Sequence, residues 1–330
     1  MTVSLLGPVT LADLQAPVRG RLEEVDGELR RMIEADLPVI ADVNRHLLRM
    51  RGKMFRPTLT LLADEATGGP SGSAASFAAV LELIHLATLV HDDAVDHSVL
   101  RRGMPTINAM FSHQVSVIMG DFLYSRAVVE LVRLADLDAL RIIGRVTNDM
   151  TIGEMRQLLA HDPLRFSEAQ YDLLIKAKTA SLISGACEVG ALSAPEPERR
   201  ALARFGELMG MAFQITDDLL DYTASEAITG KPSGLDLREH KVTLPLIHAL
   251  PLLHPRERDL VERLMANPAP ADADIVAVVA AVAAAGGLDY ARERAQQLVA
   301  QAEDELQALP ETPARETLRA CLVYVLDRRR

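Results

Sequence analysis

The sequence predicts an all-α fold, a single large helical bundle spanning residues 1–330. Three observations carry that reading. No stretch of several residues alternates apolar and polar side chains as a half-buried strand would. Apolar residues recur instead at threes and fours almost throughout, and Pro and Gly fall where those runs stop. Most runs are apolar on more than one face, which marks helices of one shared core.

In chain order, Leu11 to Ala35 reads as an amphipathic helix with Pro17 near its start. Helices over Leu37 to Met50 and Arg56 to Ala66 follow, then a loop through Gly68, Gly69, Pro70 and Gly72. Ser73 to His97 is a long, mostly apolar helix, and Gly103 and Pro105 mark a turn. Gln114 to Leu134 and Leu137 to Ala160 are two more long helices, and Pro163 breaks the chain. Ser167 and Gln170 have capping-box spacing and open a helix through Val189. Glu198 to Tyr222 is the next long helix. Ala224 to His240 is polar, with Gly230, Pro232 and Gly234, and reads as loop or short turns. Pro251, Pro255, the loop from Asn267 to Pro270, Gly286, Gly287 and Pro310 separate the remaining helices.

Composition narrows the function classes. A formal net charge of −11 argues against a nucleic-acid partner, which needs a basic face. Cys187 and Cys321 have no metal-ligand spacing and lie in apolar helical stretches, as buried thiols of a reducing compartment do. The N-terminus lacks the basic and apolar regions of a signal peptide, and the Ala-rich run Ile275 to Leu288 is too short to span a bilayer. A cytoplasmic protein is expected, with peripheral membrane contact still open.

Two helices carry the same acidic pattern. Asp92, Asp93 and Asp96 form one D-D-x-x-D cluster, and Asp217, Asp218 and Asp221 form another. Helical positions i and i+4 share a face, so each cluster projects its carboxylates together. Like charges at that spacing repel by about a few tenths of a kcal/mol per pair. Repeating the arrangement in apolar sequence points to a cation that holds it. Carboxylate oxygens suit hard divalent ions, and Mg²⁺ characteristically shares a few carboxylates with substrate phosphates. A calcium store is disfavoured, because no EF-hand loop is present. Arg101 and Arg102 follow the first cluster, Lys231 and Lys241 the second, and Lys53, Arg56 and Lys178 lie elsewhere near glycine, proline or threonine. Guanidinium forks and lysine point charges suit diphosphate oxygens.

These residues resemble the trans-type polyprenyl diphosphate synthases. The likeness runs from about Arg51 to about Ala249. It is carried by Gly52-Lys53-Met54-Phe55-Arg56-Pro57, the stretch His85 to Arg102, Gly120-Asp121-Phe122-Leu123, Lys178-Thr179-Ala180, Phe213 to Asp221, Gly230-Lys231-Pro232 and Asp236-Leu237. The resemblance implies a helical bundle around a deep central cavity, with both clusters facing each other across its mouth and holding three Mg²⁺ with an allylic diphosphate. By matched position, Asp92, Asp93 and Asp96 form the first metal site. Asp217 is the principal ligand of the second, with Asp218 and Asp221 around it. Arg101, Lys178, Thr179, Gln214, Lys231 and Lys241 match the allylic diphosphate site. Gly52, Lys53, Arg56, His85 and Arg102 match the isopentenyl diphosphate site. Asp92, Asp93, Asp96, Lys178, Asp217 and Lys231 are the expected catalytic set. Two departures are visible: Arg51 replaces the first of the family's two glycines, and Met54 replaces an arginine.

The resemblance also locates the product tail along the helix before Asp92. Ala87 and Thr88 are small where short-chain members carry bulky aromatics, with Ile84 deeper. On an opposing helix, Gly153 is expected to leave room and Met150 lies deeper. The expected product is therefore long, roughly heptaprenyl to decaprenyl. The alternatives are a geranylgeranyl or farnesyl diphosphate synthase and the non-catalytic subunit of a two-component synthase, although such a subunit is expected to lose the aspartates. A terpene cyclase is disfavoured by the absence of Trp and by 4% aromatic content, since cyclases steer cations with aromatic faces. The surplus apolar surface of Gln114 to Leu134 matches the family's dimer interface, so a homodimer is expected.

Overall fold

The computed structural model describes residues 9–50, 52–158, 163–223 and 234–327. Helix α1 (Leu11–Gln15) opens on a Thr10–Asp13 capping box. Pro17 then falls in a 3₁₀ turn, Ala16–Val18, before α2 (Arg19–Ile33). The expected continuous helix is thus divided where proline lacks an N–H to donate. Helices α3 (Pro38–Met50), α4 (Phe55–Ala66) and α5 (Ala74–Val95) follow. The turn at Gly103 is the tip of a two-stranded hairpin, β1 (Leu100–Arg101) against β2 (Met104–Pro105). Next come α6 (Ile107–Met110), α7 (His113–Leu134) and α8 (Leu137–Leu158).

The capping box of Ser167 and Gln170 opens α9 (Glu168–Ile175). That helix does not run on as expected. A π-helical turn, Lys176–Ala180, separates it from α10 (Ser181–Gly190). Pro197 sits in the first turn of α11 (Glu196–Thr223), where its missing N–H costs nothing. The chain closes with α12 (Leu235–Arg238), α13 (Leu244–Ala249), α14 (Pro255–Ala266), α15 (Asp272–Ala284), α16 (Gly287–Glu305) and α17 (Pro313–Leu326).

Helix α5 is long and apolar enough to cross a membrane by length and composition, yet most of it is buried inside the bundle. It packs against α2, α4, α7 and α10, and Val80, Leu81 and Leu83 are wholly inaccessible. Each such side chain contributes about 1.5–3 kcal/mol of hydrophobic stabilisation. Helix α11 packs against α10, α16 and α17. The helices that end in the two aspartate clusters therefore share α10 as a common support. A satellite apolar cluster, including Leu237, Leu246, Val261 and Val278, joins α12 to α15.

Candidate active site

The first cluster occupies the last turn of α5. Asp92 is half-buried, and its carboxyl is pushed up to about 6 by burial and by the charge of Glu154, with Lys178 and Arg101 opposing. Asp93 is buried, and Arg101 Nε donates to both of its oxygens at 2.9 Å. Asp96 is exposed at the C-cap, its N–H donating to the Asp92 carbonyl at 2.8 Å. The three carboxylates thus differ in environment: one is neutralised by an arginine, and two are left toward the site.

The second cluster divides similarly. Asp217 is exposed, whereas Asp218 is buried. Burial pushes the Asp218 carboxyl up to about 8, and the nearby carboxylates Asp236 and Asp217 add to that. Tyr171 Oη donates to Asp218 Oδ2 at 2.5 Å, and Gln214 Nε2 donates to Oδ1 at 2.8 Å. Asp221 accepts the backbone N–H groups of Leu235 and Asp236 at 3.0 Å each, which ties α11 to α12. Asp236 itself is pushed up to about 7, first by burial and then by Asp221.

Of the four cations expected around the allylic diphosphate, Arg101, Lys178 and Lys241 are described and Lys231 lies outside the described residues. Lys178 Nζ sits 2.8 Å from Glu154 Oε1 and 2.9 Å from Gln157 Oε1. Burial pulls Lys241 down, but Glu239, Asp236 and Asp96 together hold it above its ordinary range. Lys241 thus feels Asp96 of the first cluster and lines the same cavity as Asp218 of the second, and Lys178 feels Asp92. The clusters border one site. A cavity of about 430 Å³ lies at the second cluster, lined by Lys178, Thr179, Gln214, Asp218, Asp236 and Lys241 among others. A larger groove of about 940 Å³ runs outside, between α8, α10 and α11, and contains none of the expected site residues.

The basic group expected for isopentenyl diphosphate also assembles. Arg102 Nη1 donates to the Met50 carbonyl at 3.0 Å, and its guanidinium lies 2.9 Å from where a Cβ on Gly52 would stand. A Cβ at Gly52 would therefore push the Arg102 guanidinium from this position. His85 is held well below its ordinary pKa, by burial first and then by Arg56, Arg102 and Arg101. The side chain of Lys53 is exposed, while its carbonyl accepts from Gln15 Nε2 at 2.8 Å. Met54 adopts a left-handed conformation at the N-cap of α4. Arg51 lies outside the described residues.

Of the residues expected to set chain length, Ile84, Ala87 and Met150 are buried and Thr88 is half-buried. Gly153 has a different reason. A Cβ there would stand 2.9 Å from Lys178 N and 3.1 Å from Ala177 Cβ. The space beside Gly153 is filled by the π-helical turn, so the glycine admits that turn rather than leaving room for a tail.

Four side chains escaped the sequence reading as site residues: Glu82, Glu154, Tyr171 and Asp236. Glu82 is a buried acid whose charge supports Arg102. Glu154 and Gln157 are spaced i, i+3 on one face of α8, a signal visible in the sequence. Nothing in the sequence marks Tyr171.

Among the described residues, no three His, Cys, Asp or Glu side chains already converge on one point. The donor set nevertheless fits a hard divalent cation. It is all oxygen, and the carboxyl of Asp92 is raised first by burial and then by the negative charge of Glu154, both of which a bound cation would offset.

A polyprenyl synthetase family model matches residues 37–282. The chain belongs to the polyprenyl synthetase family. It is 38% identical to the all-trans-nonaprenyl-diphosphate synthase (geranyl-diphosphate specific) of Rhodobacter capsulatus, over 96% of this chain and 97% of that protein. A crystal structure of a Caulobacter crescentus polyprenyl synthase complexed with calcium and isoprenyl diphosphate matches with a TM-score of 0.92 at 33% identity, covering 98% of this chain and 100% of that one. A decaprenyl diphosphate synthase structure from Rhodobacter capsulatus matches with a TM-score of 0.92 at 35% identity, over 97% and 100%. This polyprenyl synthetase is accordingly a prenyltransferase, of a family that is Mg²⁺-dependent in general.

Proposed function

We propose that this enzyme condenses isopentenyl diphosphate with an allylic diphosphate, such as farnesyl or geranylgeranyl diphosphate, and repeats the step to a long all-trans product of roughly C35–C50. The observation that carries it is the approach of both aspartate clusters to Lys178 and Lys241 beside one cavity, with a separate basic group at Gly52, Arg56, His85 and Arg102. Relatives and structural neighbours named as nonaprenyl and decaprenyl synthases support the product length.

Asp92, Asp96 and Asp217, with Asp221 beside them, would hold the divalent ions. Divalent ions held there with the allylic diphosphate, about three by the family pattern, would supply charge neutralisation that makes it a better leaving group. The chain's own groups do the rest. Lys178 is held at the rim by Glu154 and Gln157, and Lys241 by Glu239, so both point charges are placed before substrate arrives. Arg101 is braced on Asp93, which fixes its fork. As the allylic C1–O bond breaks, these cations oppose the charge gathering on the diphosphate oxygens. Arg56 and Arg102 hold the second diphosphate, and neutral His85 is a hydrogen-bond donor beside them. The isopentenyl double bond forms the new bond to C1, and the proton then lost goes to the released pyrophosphate. We further propose that the enzyme works as a homodimer through α7.

The test is incorporation of labelled isopentenyl diphosphate. It is expected to require both an allylic starter and Mg²⁺, and to stop with a chelator. Purified, folded protein that incorporates nothing in the presence of Mg²⁺ and farnesyl diphosphate contradicts the proposal.

A further inference from the structure

Beneath the second cluster, a run of hydrogen bonds joins three helical segments. Tyr171 on α9 is buried, and its hydroxyl donates to Asp218 Oδ2 at 2.5 Å. Gln214, one turn before Asp218, donates to the other oxygen at 2.8 Å. The Gln214 carbonyl oxygen in turn accepts from Thr179 Oγ1 at 2.8 Å, in the π-helical turn that carries Lys178. Both Asp218 oxygens are thereby engaged on the protein side, away from water. A buried carboxylate needs such donors, and losing one costs it more than the bond alone. Thr179, Gln214 and Asp218 all border the cavity of about 430 Å³, as does Tyr171.

We propose that Tyr171 is a positioning residue for the allylic end of the site. It holds the Asp218 carboxyl turned into the bundle, which fixes the Gln214 amide and through it the Thr179 hydroxyl. Without the tyrosine hydroxyl, Asp218 is drawn toward the water of the cavity. There it stands beside Asp217 and changes how cations and an allylic diphosphate are held. The isopentenyl side lies on α4, α5 and the hairpin and takes no part in this run of bonds. The inference rests on the allylic assignment made above.

The experiment compares Tyr171→Phe, Asp218→Leu and the double variant with the wild-type chain. Three readings are taken: steady-state kinetics in each substrate, thermal unfolding, and calorimetric binding of farnesyl thiodiphosphate, an unreactive allylic analogue, in Mg²⁺. Tyr171→Phe is expected to lower kcat about tenfold and weaken the analogue about tenfold, with KM for isopentenyl diphosphate unchanged within about twofold. In the Asp218→Leu background, where no acceptor remains for the tyrosine hydroxyl, Tyr171→Phe is expected to add little, since the two act through one bond. Should Tyr171→Phe fold poorly, Asp218→Leu, similar in shape but without an acceptor, must show the same split between the two substrates. Equal effects on both substrates, unchanged analogue binding, or additive single-variant effects each overturn the proposal. Failure of the wild-type chain to elongate at all refutes the proposed function instead, and the calorimetric comparison still reads the role of Tyr171.

Discussion

At the scale of the residue, like side chains are set apart by their surroundings. Asp92 and Asp96 face the site, while Asp93 is spent on Arg101. Asp218 is spent on Tyr171 and Gln214. Two identical sequence patterns therefore supply unequal ligands, and the sequence cannot distinguish them, because the partners come from α9 and the hairpin. The clusters themselves were legible, since spacing and residue type alone place the carboxylates together. Tyr171 was not, because its role arises only when distant segments meet, and Asp236 was legible as a motif residue without a role. His85 yields a pH prediction. Its pKa is lowered well below 6.5 in the folded chain, so the stability its neutral form contributes is complete above the unfolded value. That contribution is lost as pH falls below about 6.5, where the unfolded chain takes up the proton first. Urea unfolding at pH 7 and pH 5 is expected to show a smaller acid loss in His85→Gln than in the wild type. An equal loss in both contradicts a histidine held neutral by the fold.

At the scale of the element, the sequence located the helices but not their internal breaks. The π-helical turn Lys176–Ala180 interrupts what periodicity reads as one helix. It fits because Gly153 on α8 and Gly210 on α11 let its backbone approach; a Cβ on Gly210 would stand 2.7 Å from Ala180 Cα. Close packing of two helices is not written in the periodicity of either. Gly153→Ala gains about 1 kcal/mol in helix propensity but forces a Cβ against backbone, which costs about 1–3 kcal/mol. Chemical denaturation is expected to show a net loss of about 1 kcal/mol, and a net gain shows that the turn yields. On α5, Ala87 is buried a little more than one turn before Asp92. Ala87→Phe is expected to shorten the product by at least one isoprene unit, read by chromatography of the dephosphorylated chains. An unchanged length shows that the tail does not pass there.

At the scale of the whole molecule, both cluster-bearing helices lean on α10, so the site is held by the bundle rather than by loops. Helix α7 packs one face on α2 and α5 and leaves Ile118, Val129 and Val132 at least 60% exposed. Burying such side chains against a second copy is worth about 1.5–3 kcal/mol each when complete. Light scattering at micromolar concentration is expected to give twice the chain mass of 36.0 kDa, and a clean monomer counts against the dimer. The helical class was legible because its evidence is spread along the whole chain. The hairpin at β1 and β2 was not, since two residues per strand are too few to alternate. The central claim is a site that ionises one diphosphate and repeatedly elongates it. Its most direct measurement is the chain-length distribution formed from farnesyl diphosphate, excess isopentenyl diphosphate and Mg²⁺. Products of roughly C35–C50 are the predicted result; a distribution that stops at C20 contradicts the long-chain assignment.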